Sequence, residues 1–227
     1  MHESLSTDRM GKPMLQKPTY TVIICIFLLG LVAAPGAAPG RSVSSPSARI
    51  TIDPGHGGFD HGAVVAGVSE KSVNLAISRR IRELGEKHPT LEFVFTRTTD
   101  DYLSLLERLE VAESHGSDGY ISIQANSFHD PGVNGIETIL DRSRPKKSPS
   151  WTLGEYVQDS VVDRTGARDR GLRYQRLYTR HTTLPAALVE VGFLTSPVER
   201  ERLTDRAYQD SVARGIIQGL LRYFSRS

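Results

Sequence analysis

Cysteine and tryptophan are the scarcest residues of this chain, one of each in 227. The cysteine, Cys25, lies in an apolar N-terminal run, so everything after it is free of thiols. Disulfides, cysteine zinc clusters and a cysteine nucleophile are thereby excluded from the folded part. A thiol-free domain suits an oxidising compartment. Charge of one sign is also not in excess: 28 Lys and Arg against 26 Asp and Glu leave a net +2. No broad electrostatic field therefore marks nucleic acid as a partner. Hydrophobic residues at 38% and charged residues at 24% are ordinary for a globular protein, and the length allows one domain with some additional sequence. There is no internal repeat.

What is present begins with a targeting pattern. Arg9, Lys12 and Lys17 precede "TVIICIFLLGLVAAPGAAPG", and no further charge occurs before Arg41. The apolar core, residues 21–34, has the length of a secretory h-region and is short for a membrane span. Residues 1–38 are read as a signal peptide or an N-terminal membrane anchor, with membrane attachment through residues 20–38 in the second case. Both readings export the remainder, to the periplasm or the cell-envelope exterior. Residues 39–47 form a Pro/Ser-rich linker, and residues 48–227 form the domain.

Within that domain the hydrophobic period switches repeatedly. "ARITIDPGHGG" predicts a short strand ending in a Gly-rich turn. Val73, Ile77, Ile81 and Leu84 recur at helical spacing and predict a helix from about Glu70 to Lys87. "LEFVFTR", "DGYISIQ", "GIETIL" and "AALVEVGF" read as strands. "LSLLERLEVAESHG", with Gly116 as its stop, "WTLGEYVQDSVVDRTG" and "DRAYQDSVARGIIQGLLRYF" read as helices. Strands alternating with helices predict a single α/β domain, a mostly parallel twisted sheet of about six strands covered by helices on both faces. Working residues in such sheets gather where strands end. That directs attention to the turns after Asp53, Ile123 and Val189.

Three side chains stand out there. His56 sits in the "DPGHGG" turn, open to a metal or a solvated reading. Glu70 opens a long helix, where a carboxylate also suits the helix N-terminus. Glu190 interrupts an apolar strand, and a buried carboxylate there calls for a metal, a proton-transfer task or a cation.

Taken together these stretches resemble a known family. "ITIDPGHGGFDHGAVVAGVSEKSVNLAISRRI", "FTRTTDDYLSLLERLEVA", "GYISIQANSF", "GIETIL", "RTGARDRGL" and "LPAALVEVGFLTSPVE" are similar, in order, to the zinc-dependent N-acetylmuramoyl-L-alanine amidases of the amidase-3 type. The likeness covers residues 48–225. It implies a peptidoglycan hydrolase that cleaves between N-acetylmuramic acid and the L-alanine of the stem peptide. It also implies one zinc ion, ligands at His56 and Glu70, and Glu190 as general base and acid. The third ligand position falls on Gln124, where the family has histidine.

Three readings of Gln124 follow. Its amide oxygen holds zinc more weakly than an imidazole would; or His129, His61 or the more distant His181 substitutes; or the domain is catalytically impaired and binds peptidoglycan or regulates a partner. Arg97 and Asp101 match a family stretch and are read as structural. Tyr102, Tyr174 and Tyr178 are read as packing residues or as the lining of a glycopeptide groove. The short connection after "GIETIL" predicts no built-in inhibitory helix over the site. A monomer is expected, with no recognisable wall-binding module following.

Overall fold

The computed structural model describes residues 48–225; the expected targeting segment, linker and Cys25 lie outside them. Eight strands are present: β1 (Ala48–Pro54), β2 (Val64–Val65), β3 (Val68–Ser69), β4 (Leu91–Phe95), β5 (Gly119–Asn126), β6 (Ile136–Asp141), β7 (Asp169–Gln175) and β8 (Ala186–Phe193). Five α-helices accompany them: α1 (Glu70–Gly85), α2 (Leu105–Ser114), α3 (Pro149–Thr165), α4 (Pro197–Thr204) and α5 (Arg206–Phe224). A 3₁₀ turn at Tyr178–His181 completes the described elements.

Six strands form one sheet in the order β4-β1-β5-β8-β6-β7, and β2 and β3 pair separately. Neighbours run parallel except β6 and β8, which are antiparallel. The α/β class and the mostly parallel six-stranded sheet are as the sequence predicted.

The two faces of this sheet differ chemically. Side chains alternate along a strand, so Ile50 and Ile52 of β1, Ile121 and Ile123 of β5, and Val189 and Val191 of β8 point one way. They meet Val73, Ile77 and Ile81 of α1, Val157 of α3 and Ile216 of α5 in the main core. The intervening residues, Thr51, Asp53, Ser122, Gln124 and Glu190, point the other way. A small apolar cluster, Leu109, Ala112, Tyr120 and Ala186, packs α2 on that second face, and Arg108 ties it there to the buried Asp53. One side of the sheet is thus an ordinary core, and the other is a polar floor.

Local chemistry explains most element boundaries. Ser104 and Glu107 form a reciprocal capping box at the start of α2, satisfying two otherwise orphaned N–H groups. Gly116, at φ 61°, follows its C-cap as the sequence suggested. Ser148 caps α3, Pro149 opens it, and Gly166 ends it in the left-handed conformation. Helix α1 stops two residues before Lys87, where a tighter turn joins His88 N to the Gly85 carbonyl. Strand β5 extends to Asn126, two residues past the predicted "DGYISIQ". Strand β7, the β2–β3 hairpin and α4 have no counterpart among the predicted elements. β7 is a largely exposed edge strand, paired on one side only, and lacks the apolar alternation that marks a half-buried strand. The connection 142–148 between β6 and α3 consists of turns and bends.

Candidate active site

The turn after β1 sets the site. Its chain direction reverses through His56, at φ 61°, a left-handed conformation that residues with a Cβ rarely adopt. Two arginines hold it there. Arg97 donates to the Pro54 carbonyl at 2.9 Å and the Gly55 carbonyl at 2.9 Å. Arg108 donates to the Pro54 carbonyl at 3.0 Å and the His56 carbonyl at 2.8 Å. Both guanidinium groups are buried, 3% and 2% exposed as residues. Arg108 also pairs at 2.7 Å with Asp53, which accepts further from Thr96, Ser122 and Tyr178. Burial alone would raise the Asp53 pKa, but Arg108 and these hydrogen bonds outweigh it and hold the carboxyl below its usual range. Strain at His56 is therefore opposed by a charged, hydrogen-bonded anchor beneath it.

The imidazole is gripped from both ends. Nδ1 lies 2.9 Å from Asp60 Oδ2, and Nε2 lies 3.3 Å from Glu70 Oε2. The hydrogen bond to Glu70, against the opposing effect of burial, and then Asp60 raise the His56 pKa to about 9. Glu70 is itself fixed by backbone donors: Ala63 N to Oε2 at 3.0 Å and Ala125 N to Oε1 at 3.1 Å. Ala63, just before β2, and the end of β5 therefore aim this first residue of α1 at His56.

Register brings the carboxylates together. Gln124 of β5 lies directly beside Glu190 of β8, and Glu190 directly beside Glu137 of β6. Just past Glu190 the β5–β8 register shifts, with Asn126 opposite Phe193. Gly192, at φ 146°, sits at this bulge, a device that re-aims strand residues near functional sites. Glu190 Oε2 is buried without a hydrogen-bond partner. Burial, then the nearby Glu70 and Glu137 carboxylates, raise its pKa well above the carboxylate range. Glu137 is satisfied instead, accepting from Asn126 at 3.1 Å and Arg170 at 2.7 Å.

His56, Glu70, Gln124 and Glu190 are therefore placed around one strand-end region. A shared zinc would separate two tetrahedral ligand atoms by about 3.4 Å, given metal–ligand bonds near 2.1 Å. The 3.3 Å between His56 Nε2 and Glu70 Oε2 fits that spacing. Asp60 supplies the outer hydrogen bond that orients a metal-binding imidazole. Gln124, the third candidate, is engaged within the protein. Gln124 Nε2 donates to Ser122 Oγ at 3.1 Å, and Oε1 receives a long 3.4 Å bond from Asn74. Its amide also lies against Gly55, leaving no room for a Cβ there. His56 and Glu70 thus stand at the spacing of two zinc ligands, and a neutral amide oxygen is all that Gln124 could add. Among the described residues, no group of three or more His, Cys, Asp or Glu side chains is placed to hold a metal. His61, His129 and His181 are exposed, and His129 stacks on Phe128, ring centroids 4.1 Å apart.

Asp60, Arg108 and Glu137 were not singled out from sequence. Asp60 follows His56 by four residues in a loop, where no period reveals facing. Arg108 and Glu137 read as ordinary helix and strand residues, and their partners are distant in the chain. Tyr178 is a hydrogen-bonded network member, while Tyr102 is exposed and lines a pocket of about 360 Å³ with His56, Asp60, Leu105 and Gln124.

Residues 50–222 match the family model described as N-acetylmuramoyl-L-alanine amidase. The Bacillus subtilis N-acetylmuramoyl-L-alanine amidase LytC is 35% identical over 77% of this chain, and the chain spans only 35% of that protein's length. Among solved structures, the catalytic domain of CwlV, an amidase from Bacillus (Paenibacillus) polymyxa var. colistinus, is 36% identical. It covers 79% of this chain and 99% of its own, with a TM-score of 0.74. An N-acetylmuramoyl-L-alanine amidase from Clostridium difficile 630 is 34% identical, covering 80% and 98% respectively, with a TM-score of 0.76.

Proposed function

The chain belongs to the N-acetylmuramoyl-L-alanine amidase family, and from that premise we propose that it hydrolyses peptidoglycan. The bond cut is the amide between the lactyl group of N-acetylmuramic acid and the L-alanine of the stem peptide. The observation carrying this reading is the 3.3 Å approach of His56 Nε2 to Glu70 Oε2, on a floor shared with the partnerless Glu190 carboxylate.

A zinc ion held by His56 and Glu70, with Gln124 Oε1 as the weaker third donor, would supply an acidified water and polarise the scissile carbonyl. Asp60, on Nδ1, keeps the imidazole oriented for that task. Glu190 takes the proton of the attacking water and delivers it to the departing alanine nitrogen, turning a poor leaving group into a neutral amine. Its pKa is raised in the metal-free fold; a cation held by His56 and Glu70 would draw it down and free the carboxylate to accept that proton. Arg97 and Arg108 keep the His56 turn in place while this happens.

The same reading places the domain outside the cytoplasmic membrane, exported through residues 1–38, and acting as a monomer on the wall. A second reading, a catalytically impaired domain that binds peptidoglycan or regulates a partner, is favoured by one observation. The Gln124 amide is already engaged by Ser122 and Asn74. Purified full chain, assayed for bound zinc and for release of stem peptides from peptidoglycan, separates the two. Release that disappears with Glu190→Gln supports the enzyme. Neither zinc nor release in the parent chain, with both restored by Gln124→His, establishes the impaired domain instead.

A further inference from the structure

Gln124 can serve a cation only through its amide oxygen, because the NH2 end offers hydrogens where a cation needs a lone pair. Which end of the amide meets which neighbour is therefore decisive, and hydrogen-bond polarity fixes it from both sides.

One side terminates at Asp53. That buried carboxyl is paired with Arg108 and held below its usual range, so it is ionised and can only accept. Ser122, equally buried, has a single hydroxyl hydrogen and gives it to Asp53 Oδ2 at 3.0 Å. The hydroxyl oxygen is left as an acceptor, and Gln124 Nε2 donates to it at 3.1 Å. An amide turned the other way would set Oε1 against an oxygen with no hydrogen to give.

The other side terminates at Gly55. Its carbonyl, also acceptor-only, receives Arg97 at 2.9 Å and Asn74 Nδ2 at 3.3 Å. The same Nδ2 donates to Gln124 Oε1 at 3.4 Å. Asn74 is fully buried, and its Oδ1 has no partner. Turning both amides over would give that oxygen a donor, but would press oxygens against both the Gly55 carbonyl and the Ser122 hydroxyl. One orphaned acceptor is the smaller loss.

A chain of fixed polarity thus joins Gly55, Asn74, Gln124, Ser122 and Asp53, and both its ends belong to the β1 segment that leads into His56. Asn74 stands one helical turn beyond Glu70 on α1, so the oxygen end of Gln124 is turned towards the helix that carries Glu70. That oxygen has two lone pairs, and one long bond draws on them. We propose that Ser122 and Asn74 are positioning residues that hold Gln124 as an oxygen donor for a divalent cation at His56 and Glu70. The cation rests on the amidase reading above; the polarity of the amide does not.

Two measurements on the full chain test this. In chelator, the Gln124 side-chain NH2 signal in nitrogen-15 NMR, assigned by its loss in Gln124→Ala, is expected to exchange slowly with solvent and to lose that protection in Ser122→Ala. Equal exchange in parent and Ser122→Ala overturns the circuit. Zinc affinity, read by competition with a chromogenic chelator, is expected to fall about tenfold in Ser122→Ala and in Asn74→Ala. In a Gln124→Ala background neither change should lower it further. Asn74→Ala reads the circuit from its other end if Ser122→Ala does not fold. Zinc affinity unchanged or raised in the single variants overturns the positioning role. So does an equal loss with and without Gln124, which marks a merely structural effect, and so does a parent chain that takes up no zinc. Hydrolysis is read separately: the coupled zinc losses without stem-peptide release sink the amidase reading alone, and release by a chain whose zinc affinity ignores Ser122 and Asn74 sinks the positioning role alone.

Discussion

At Glu190, function and stability pull in opposite directions. Its pKa is raised in the fold, so the folded state holds a proton that the unfolded chain releases above the ordinary carboxylate pKa. Stability is therefore lost as pH rises from that value towards the folded pKa. Glu190→Gln removes the charge at constant shape. It is expected to raise the melting temperature at pH 7, with the gain vanishing near pH 4, and to cut stem-peptide release by about 100-fold or more. An unchanged melting temperature at pH 7 would argue against a strained carboxylate. Gln124 is the opposite case, a neutral group where a stronger donor is chemically preferable. Gln124→His is expected to raise zinc affinity at least about tenfold, measured by competition with a chromogenic chelator. His56 adds a pH signature to the metal-free chain. With its pKa raised to about 9, the stability it contributes is fully present below its unfolded pKa and is lost as pH rises through about 9. His56→Ala should flatten that part of the chemical-denaturation profile recorded in chelator.

Among the elements, α3 and α5 approach closely at two glycines. A Cβ at Gly219 would meet Val157 Cα at 2.7 Å, and one at Gly215 would meet Val161 Cα at 2.6 Å. These obstacles are backbone atoms, so no rotamer change relieves them. Gly219→Ala gains about 1 kcal/mol of helix propensity but overpacks the interface at a cost of about 1–3 kcal/mol. A net destabilisation in urea unfolding is expected, and a stabilised variant would refute the close packing. On the other face the tie between α2 and β1 is ionic. Arg108→Met strands the buried Asp53 carboxylate and should cost about 3–5 kcal/mol. Asp53→Asn combined with Arg108→Met should recover part of that loss, since no unpaired charge remains.

For the whole molecule, the sheet separates stability from chemistry. The face meeting α1, α3 and α5 is apolar and continuous, while the opposite face carries Asp53, Ser122, Gln124, Glu190 and Glu137. A ligand that binds only the folded form raises stability through mass action, by about 2.7 kcal/mol at a concentration 100 times its Kd. Saturating zinc should thus raise the melting temperature of the chain, more so for Gln124→His and not at all for His56→Ala. A shift that survives His56→Ala would place the metal elsewhere.

The order of elements and the residues at strand ends were legible along the chain. Val73, Ile77, Ile81 and Leu84 announced α1 because helical spacing puts them on one buried stripe, and the apolar runs of β5 and β8 announced buried strands. His56, Glu70 and Glu190 could be picked out because each is chemically conspicuous where it stands: a histidine among glycines, a carboxylate opening a helix, a carboxylate inside an apolar strand. β7 stayed hidden because an edge strand paired on one side needs no apolar alternation. Sequence alone therefore determined the α/β class, the motif order and a polar Gln124 at the end of an apolar strand. Only the tertiary structure decided which way the Gln124 amide turns, that Asp60 and Glu70 grip the two ends of one imidazole, and that Arg97 and Arg108 pin the His56 turn. The physical reason is reach: those contacts join residues up to 54 positions apart, and a hydrogen bond between distant residues leaves no period in the chain that makes it.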